Sequence, residues 1–260
     1  MSGKVSSPCT GFSPSAPQIY QSVMDVIDSV LENQSIGRYL DIGSGDGLLL
    51  QLVGDRFGLE RFGCDHTNRF AKWSNVPIDI VDLDREPLPY PADHFSLVTC
   101  VETIEHLENF REMIREIYRV LRPGGWAIVT TPNVLNLRSR LRYLTSGFHN
   151  MFGPLAISGQ RMHDTHGHIS PVGWFYLAHA MLKTGFENLQ VRVDRFQRRS
   201  IIALVFLYLP IRLLGRFFLY LERRRNIQSI TPENEPLVRQ INTLDLLLGR
   251  TLIVAAQKAH

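Results

Sequence analysis

The feature that most restricts the fold of this 260-residue chain is the turn Asp41-Ile42-Gly43-Ser44-Gly45-Asp46-Gly47, set between a short apolar run and an apolar helical pattern. Its three glycines can enter left-handed conformations without a Cβ penalty, so backbone amides can approach a ligand there. Arg38 to Ile42 predicts a strand, Leu48 to Phe57 a helix, and Arg61 to Asp65 a second strand, which together make a β-α-β unit.

The alternation continues on both sides. Ile19, Val23, Val26, Ile27, Val30 and Leu31 recur at helical spacing and predict an amphipathic helix over Ala16 to Leu31. Strands are expected at Ile78 to Asp82, Phe95 to Val101 and Trp126 to Thr131. A helix over Leu107 to Leu121 is stopped by Pro123-Gly124-Gly125. Asn133 to Leu144 reads as helical. Ser170 is expected to cap a helix with Pro171 at its first position and Gly185 past its end; Phe186 to Phe196 and Thr251 to Ala255 supply the last strands. This order predicts an α/β fold with a doubly wound, mostly parallel sheet and helices on both faces. With 44% hydrophobic residues the chain can bury one large core, so 16–260 is expected to form a single domain. Within it, 134–169 should roof an acceptor site and 200–249 should form an apolar, basic helical insertion. Residues 1–15 are rich in Ser, Pro and Gly and read as a flexible leader without the apolar core of a signal peptide.

A glycine loop of this kind could hold either of two cofactors. The dinucleotide fingerprint places its third glycine three residues after the second, yet Leu48 stands there and Gly47 comes one position early, which argues against a dehydrogenase. The loop with its leading Asp41 resembles the first motif of class I, Rossmann-like, S-adenosylmethionine-dependent methyltransferases. Asp65, ending the second strand, suits ribose hydroxyls. Val81-Asp82-Leu83, the stretch Leu88 to Phe95, Thr99 to Leu107 and Arg119 to Gly125 resemble later motifs of the same family in order. The resemblance covers Arg38 to Asn133 closely and implies seven strands with the last antiparallel. It also implies S-adenosyl-L-methionine as cofactor, held around Asp41, Gly43, Ser44, Gly45, Gly47, Asp65, His66, Asp82, Leu83, Asp84 and Val101. In that reading Asp41 supports the methionine end. Asp82, with Asp84 as the alternative, takes the adenine amino group, and Leu83 flanks the ring.

Methyl transfer to a hydroxyl benefits from a base that titrates near neutrality, and histidine is the side chain best matched to that task. His106 follows the fourth strand, and it is either a packed helix-start residue or a base. His163, Asp164, His166 and His168 cluster in the roof segment, where His166 and His168 are further catalytic candidates. Their spacing fits no fixed metal-ligand pattern, so no resident metal is expected, although the residue types suit a divalent ion. Thr131-Pro132-Asn133, the following Leu135 to Leu141, and His168-Ile169-Ser170-Pro171 resemble bacterial methyltransferases associated with cell-surface glycan and glycolipid synthesis. That likeness implies O-methylation of a sugar or lipid-linked glycan. An isoprenoid quinone or other small molecule is the alternative.

Between 192 and 225 nine arginines face only Asp194 and Glu222, so the chain's net charge of +3 is concentrated there and the remainder is acidic. An extended nucleic-acid surface is therefore not expected. Leu, Phe and Tyr flanked by Arg198-Arg199 and Arg223-Arg224-Arg225 suit peripheral contact with an anionic inner membrane surface, or else a dimer contact or the cover of a sheet edge. Pro210, Arg212 and Arg216 are expected to interrupt the run short of a spanning helix. Cys9, Cys64 and Cys100 have no metal-type spacing and fit a reducing, cytoplasmic setting. A non-catalytic adapter on the same fold is the competing class, and the intact acids and glycines argue against it.

Overall fold

The computed structural model describes residues 16–31, 37–68, 72–73, 75–155, 157, 167–226 and 229–260. Seven strands form one sheet: β1 Arg38–Ile42, β2 Glu60–Asp65, β3 Ile78–Ile80, β4 Phe95–Cys100, β5 Leu121–Pro132, β6 Phe186–Val193 and β7 Thr251–Lys258. Their order is β3-β2-β1-β4-β5-β7-β6. All pairings among β1 to β5 are parallel, whereas β7 runs antiparallel to both β5 and β6. The chain builds outward from β1 to β3 and then restarts at β4 on the other side of β1. That reversal opens a crevice at the carboxyl ends of β1 and β4, where such sheets bind ligands.

Alternate strand residues feed two cores. Leu40, Val98, Ala127, Val129 and Val254 pack with α3 (Phe110–Val120) and α5 (Trp174–Thr184) on one face. Tyr39, Leu97, Ile128, Ile253 and Ala255 pack with α1 (Ala16–Val30) and α2 (Leu48–Phe57) on the other. This period of two is the pleat itself, and strands buried on both sides read as nearly continuous apolar runs. Trp174, 1% exposed, also donates its indole N–H to Leu237 O at 3.1 Å and so ties α5 to the short helix α7, Glu235–Gln240.

Several boundaries depart from expectation. The helix expected from Leu107 begins at Phe110, because Ile104–His106 forms a separate 3₁₀ turn and Asn109 caps α3 by accepting from Glu112 N. The helix expected from Asn133 is α4, Leu137–Ser146. Asn136 accepts from Ser139 N at its start, while the Asn133 side chain is spent on Leu246 O and Gly249 O. Ser170 and Pro171 do not start α5, whose N-cap is Gly173. Ser170 is held elsewhere: its amide donates to Glu105 O and its hydroxyl to Leu107 O, both across from the 3₁₀ turn. β3 and β6 end at Ile80 and Val193, earlier than the expected Asp82 and Phe196.

The expected interruption of the apolar insertion is also corrected. Residues Ser200–Arg225 form one continuous 26-residue helix, α6, with Pro210 inside it. Proline removes one backbone donor but leaves the flanking hydrogen bonds in place. Among the described residues it is the one helix long and apolar enough to cross a membrane. Ala203, Leu204, Leu207 and Ile211 rest on Leu137, Leu247 and Leu248, the last two from α8, Leu244–Leu248. The opposite stripe, including Ile202, Val205, Phe206 and Leu209, is exposed.

Candidate functional site

The glycine loop is drawn tight against the end of β2. Gly43, Gly45 and Gly47 have φ of 72°, 55° and 79°, the left-handed region. Gly43 N and Ser44 N donate to Cys64 O at 2.8 and 3.2 Å, and Gly45 N donates to Asp65 Oδ2 at 2.8 Å. Ser44 is buried and supports the turn from beneath, its hydroxyl donating to Asp41 O at 2.7 Å. A Cβ at Gly43 would lie 2.2 Å from Thr103 Oγ1, so this strand end accepts only glycine without displacement of its neighbour. At Gly45 a Cβ would approach nothing closer than Gly43 O at 4.0 Å, which leaves the outer side of the loop open to a ligand.

Of the acids expected from the sequence, Asp41 and Asp65 meet at the glycine turn, while Asp82 and Asp84 lie on the loop after β3. Asp41 lies on the α1/α2 face of β1, where its alternate neighbour is the apolar Tyr39. It is 2% exposed and accepts from Thr99 Oγ1 at 2.6 Å, with the Tyr39 hydroxyl 2.7 Å from the same oxygen. Burial pushes the Asp41 carboxyl up to about 7; the bond from Thr99 opposes this, and Asp65 and Asp46 add to it. Asp65 is 5% exposed; its Oδ1 accepts from Thr67 N and lies 2.7 Å from His66 Nδ1, which raises the imidazole pKa. Asp82 Oδ1 accepts from Asp84 N, and Asp84 Oδ1 accepts from Glu108 N at 2.7 Å. Asp84 thus pins the loop that leads into α3. Leu83 and Val101 are half-buried beside the α3 core and the α1/α2 core respectively. Tyr20 of α1 is a neighbour that the sequence did not single out. Burial raises its hydroxyl pKa, and the nearby carboxylates of Asp41, Asp46 and Glu102 add to the shift.

An acid-lined crevice with an open glycine turn and a carboxylate at the end of β2 fits a nucleoside that carries cationic sulfonium and ammonium groups. Asp65→Ala should weaken affinity for S-adenosylhomocysteine by roughly ten- to a hundredfold, the worth of one or two charge-assisted hydrogen bonds. Calorimetry on a folded variant reads this, and unchanged affinity would remove Asp65 from the site.

The raised acids also set a pH dependence. A folded carboxyl with a raised pKa holds a proton that the unfolded chain releases, so it stabilises at low pH and that stability is lost as pH rises through the folded value. Asp41 follows this rule, and so do Glu102 and Glu105, which burial raises as well. His168 has the opposite sign, because burial and then His106 lower its pKa to about 4, but its contribution is complete above about 6.5. Between about pH 6.5 and 8 the cofactor-free protein should therefore lose thermal stability, and saturating S-adenosylhomocysteine should reduce that loss. A flat or rising melting temperature over this window would contradict the buried, protonated acids.

On the acceptor side the structure joins residues that lie far apart in sequence. His106 Nδ1 is 3.2 Å from Gly167 O, and the His106 and His168 rings meet edge to face at 4.8 Å with Phe152 packed on His168. Glu105 completes the group. Its ligand atom and those of His106 and His168 all lie within 4.8 Å of one another. Glu105 is fully buried, and among the described residues neither carboxylate oxygen makes a well-formed hydrogen bond, with only Thr131 and its own backbone amide acting on it as donors. Such a group is either protonated or faces a cation, so these three side chains could hold a divalent ion. Glu102 stands just before them at φ 49°, accepting from the Thr130 hydroxyl at 3.0 Å. Of the expected roof cluster, His168 is in this group, while His163, Asp164 and His166 lie outside the described residues. Glu105 could have been suspected from its place beside His106, but only the fold brings His168 to it.

Comparison with known proteins bears on the family and the fold. Residues 16–191 match the family model described as a methyltransferase domain. The ubiquinone biosynthesis O-methyltransferase of Rhizobium etli (strain CIAT 652) is 30% identical over 155 residues, covering 50% of this chain and 62% of that protein. The chain thus spans less than two thirds of the length of this curated relative. The crystal structure of a SAM-dependent methyltransferase from Archaeoglobus fulgidus superposes with a TM-score of 0.54 at 16% identity over 92% of this chain and 94% of that one. Phosphoethanolamine N-methyltransferase 2 of Haemonchus contortus in complex with S-adenosyl-L-methionine gives 0.53 at 17% identity, covering 92% and 53%. These two likenesses bear on the fold alone. The chain belongs to the methyltransferase domain family, in its class I, S-adenosylmethionine-dependent form.

Proposed function

We propose that this protein O-methylates a hydroxyl of a membrane-resident small molecule, with a quinone-type aromatic acceptor ahead of a lipid-linked glycan. The observation that carries the reaction type is the His106–His168 pair against the crevice at the end of β4. The choice of acceptor draws on relatives named for ubiquinone biosynthesis and on the exposed apolar stripe of α6. That stripe suits peripheral attachment to the inner membrane surface.

The cofactor supplies an electrophilic methyl group on a sulfonium sulfur, which leaves as a neutral thioether when the acceptor oxygen takes the methyl. The protein's work is alignment, exclusion of water and removal of the hydroxyl proton. With Nδ1 donating to Gly167 O, the lone pair of His106 lies on Nε2, the atom that takes that proton. His168 is uncharged near neutrality and orients the acceptor oxygen rather than competing for the proton. Asp41, Asp65 and the glycine turn hold the donor in line.

The test supplies methyl-labelled S-adenosylmethionine with vesicles that carry either a polyprenyl catechol or a lipid-linked sugar. Label on the catechol is expected. Label on the sugar alone would exchange the order of the two acceptors, and label on neither with cofactor bound would remove both. Activity that resists a chelator supports His106 as base. Loss restored by magnesium would assign Glu105, His106 and His168 to an ion.

A further inference from the structure

We infer that the cleft between α6 and α7 is a binding site for the phosphate head group of an anionic phospholipid. The inference rests on the reading that α6 meets a bilayer, and it adds a specific site to that reading. The cleft has a volume of about 560 Å³, and Arg212, Arg216 and Arg223 line it from α6 while Arg239 and Asn242 face them. Spacings of four and seven residues bring the three α6 arginines onto one face of the helix. Glu235 is the lone carboxylate in the lining, and it is already shared by Arg223 and Arg239. Arg212 and Arg216 have no carboxylate partner among the described residues; Arg212 only stacks near the Tyr208 ring, 5.8 Å from its centroid. Like charges four residues apart on a helix repel, so this pair favours an anion between them and α7.

The surroundings select the source of that anion. Leu209, Leu213 and Phe217, each within three residues of Arg212 or Arg216, are 64%, 57% and 53% exposed. A phosphate in the cleft would carry its acyl chains along that stripe, an arrangement that a soluble phosphate cannot use. Guanidinium groups bind phosphate oxygens in pairs through parallel hydrogen bonds, and the Asn242 amide adds a neutral donor. Asn242 Oδ1 accepts from Arg140 Nη1 at 2.8 Å, which holds its Nδ2 toward the cleft; a Cβ on Gly215 would come within 2.8 Å of that nitrogen. The family match ends at residue 191, so α6 and its cleft belong to the part of the chain outside the shared methyltransferase region.

The test is co-sedimentation of the full chain with vesicles of phosphatidylcholine alone or with phosphatidylglycerol added. R212Q/R216Q is compared with R224Q/R225Q, which removes equal charge outside the cleft, and both are checked for unchanged S-adenosylhomocysteine binding. The expected result is tighter binding to the phosphatidylglycerol vesicles, with the cleft variant losing at least about tenfold more affinity than the control variant. Equal losses would overturn the cleft and leave only general surface attraction, with the membrane reading intact. Binding to neither vesicle would overturn the membrane reading and the lipid site with it. If inorganic pyrophosphate binds at the cleft by calorimetry while no vesicle does, the site belongs to a soluble anion and the lipid assignment is overturned.

Discussion

Replacing Gly43 with alanine should abolish measurable cofactor binding at concentrations that saturate the native protein. Gly43 has φ 72°, which costs an alanine about 1–2 kcal/mol. Its Cβ would also lie 2.2 Å from Thr103 Oγ1 and 2.8 Å from Thr103 Cγ2. Thr103 cannot yield freely, because its hydroxyl donates to Val101 O and Ile42 O at the ends of the two strands that form the crevice. Overpacking of this kind adds about 1–3 kcal/mol, and it shifts the turn whose amides are fixed to Cys64 and Asp65. The combined effect on affinity is on the order of a hundredfold or more. Gly153→Ala is the control, since nothing lies within 4 Å of a Cβ there and its φ is not left-handed. Native affinity in Gly43→Ala would mean that the turn does not hold the ligand.

His106→Ala should lower kcat by about 10²- to 10⁴-fold with cofactor affinity unchanged, the range that a positioned general base contributes. The ring meets Gly167 O and His168, whereas the hydrogen bonds that fix the glycine turn run to Cys64 O and Asp65, so the donor site is not expected to respond. His168→Ala should raise KM more than it lowers kcat, because a neutral imidazole with a pKa of about 4 is a poor proton acceptor near neutrality. If both variants lose cofactor affinity or fail to fold, the pair is a packing element under the crevice. If neither loses turnover, the proton goes elsewhere, and buried Glu102 or Glu105 becomes the base to test.

The part of the molecule read most closely from sequence is the β1–α2 unit. The bounds of β1 and α2 coincide with the predicted ones, because a glycine turn between two apolar patterns leaves one arrangement in which both patterns face a core. The mostly parallel seven-stranded sheet and its antiparallel last strand followed from alternation and family resemblance together. What the sequence hid is tertiary. Ser170-Pro171 carries a strong helix-start signal, yet the Ser170 amide and hydroxyl are taken by Glu105 O of the 3₁₀ turn and Leu107 O just after it, and α5 starts later. Pro210 reads as a break, yet α6 runs through it with its Ala203–Ile211 stripe packed on α4 and α8. Glu105 and Tyr20 went unread for a related reason. A buried acid beside a histidine and a tyrosine on an amphipathic helix both look like ordinary residues until the fold brings His168 to the first and the crevice acids to the second.

Calorimetric titration of the purified protein with S-adenosylhomocysteine, with a nicotinamide dinucleotide as control, decides which cofactor the Asp41–Gly47 crevice holds. Saturable one-site binding of S-adenosylhomocysteine, weaker below pH 7 as Asp41 takes up its proton, and no heat from the dinucleotide are expected. Binding of the dinucleotide instead, or of neither ligand by a folded protein, would contradict the assignment of the Asp41–Gly47 crevice.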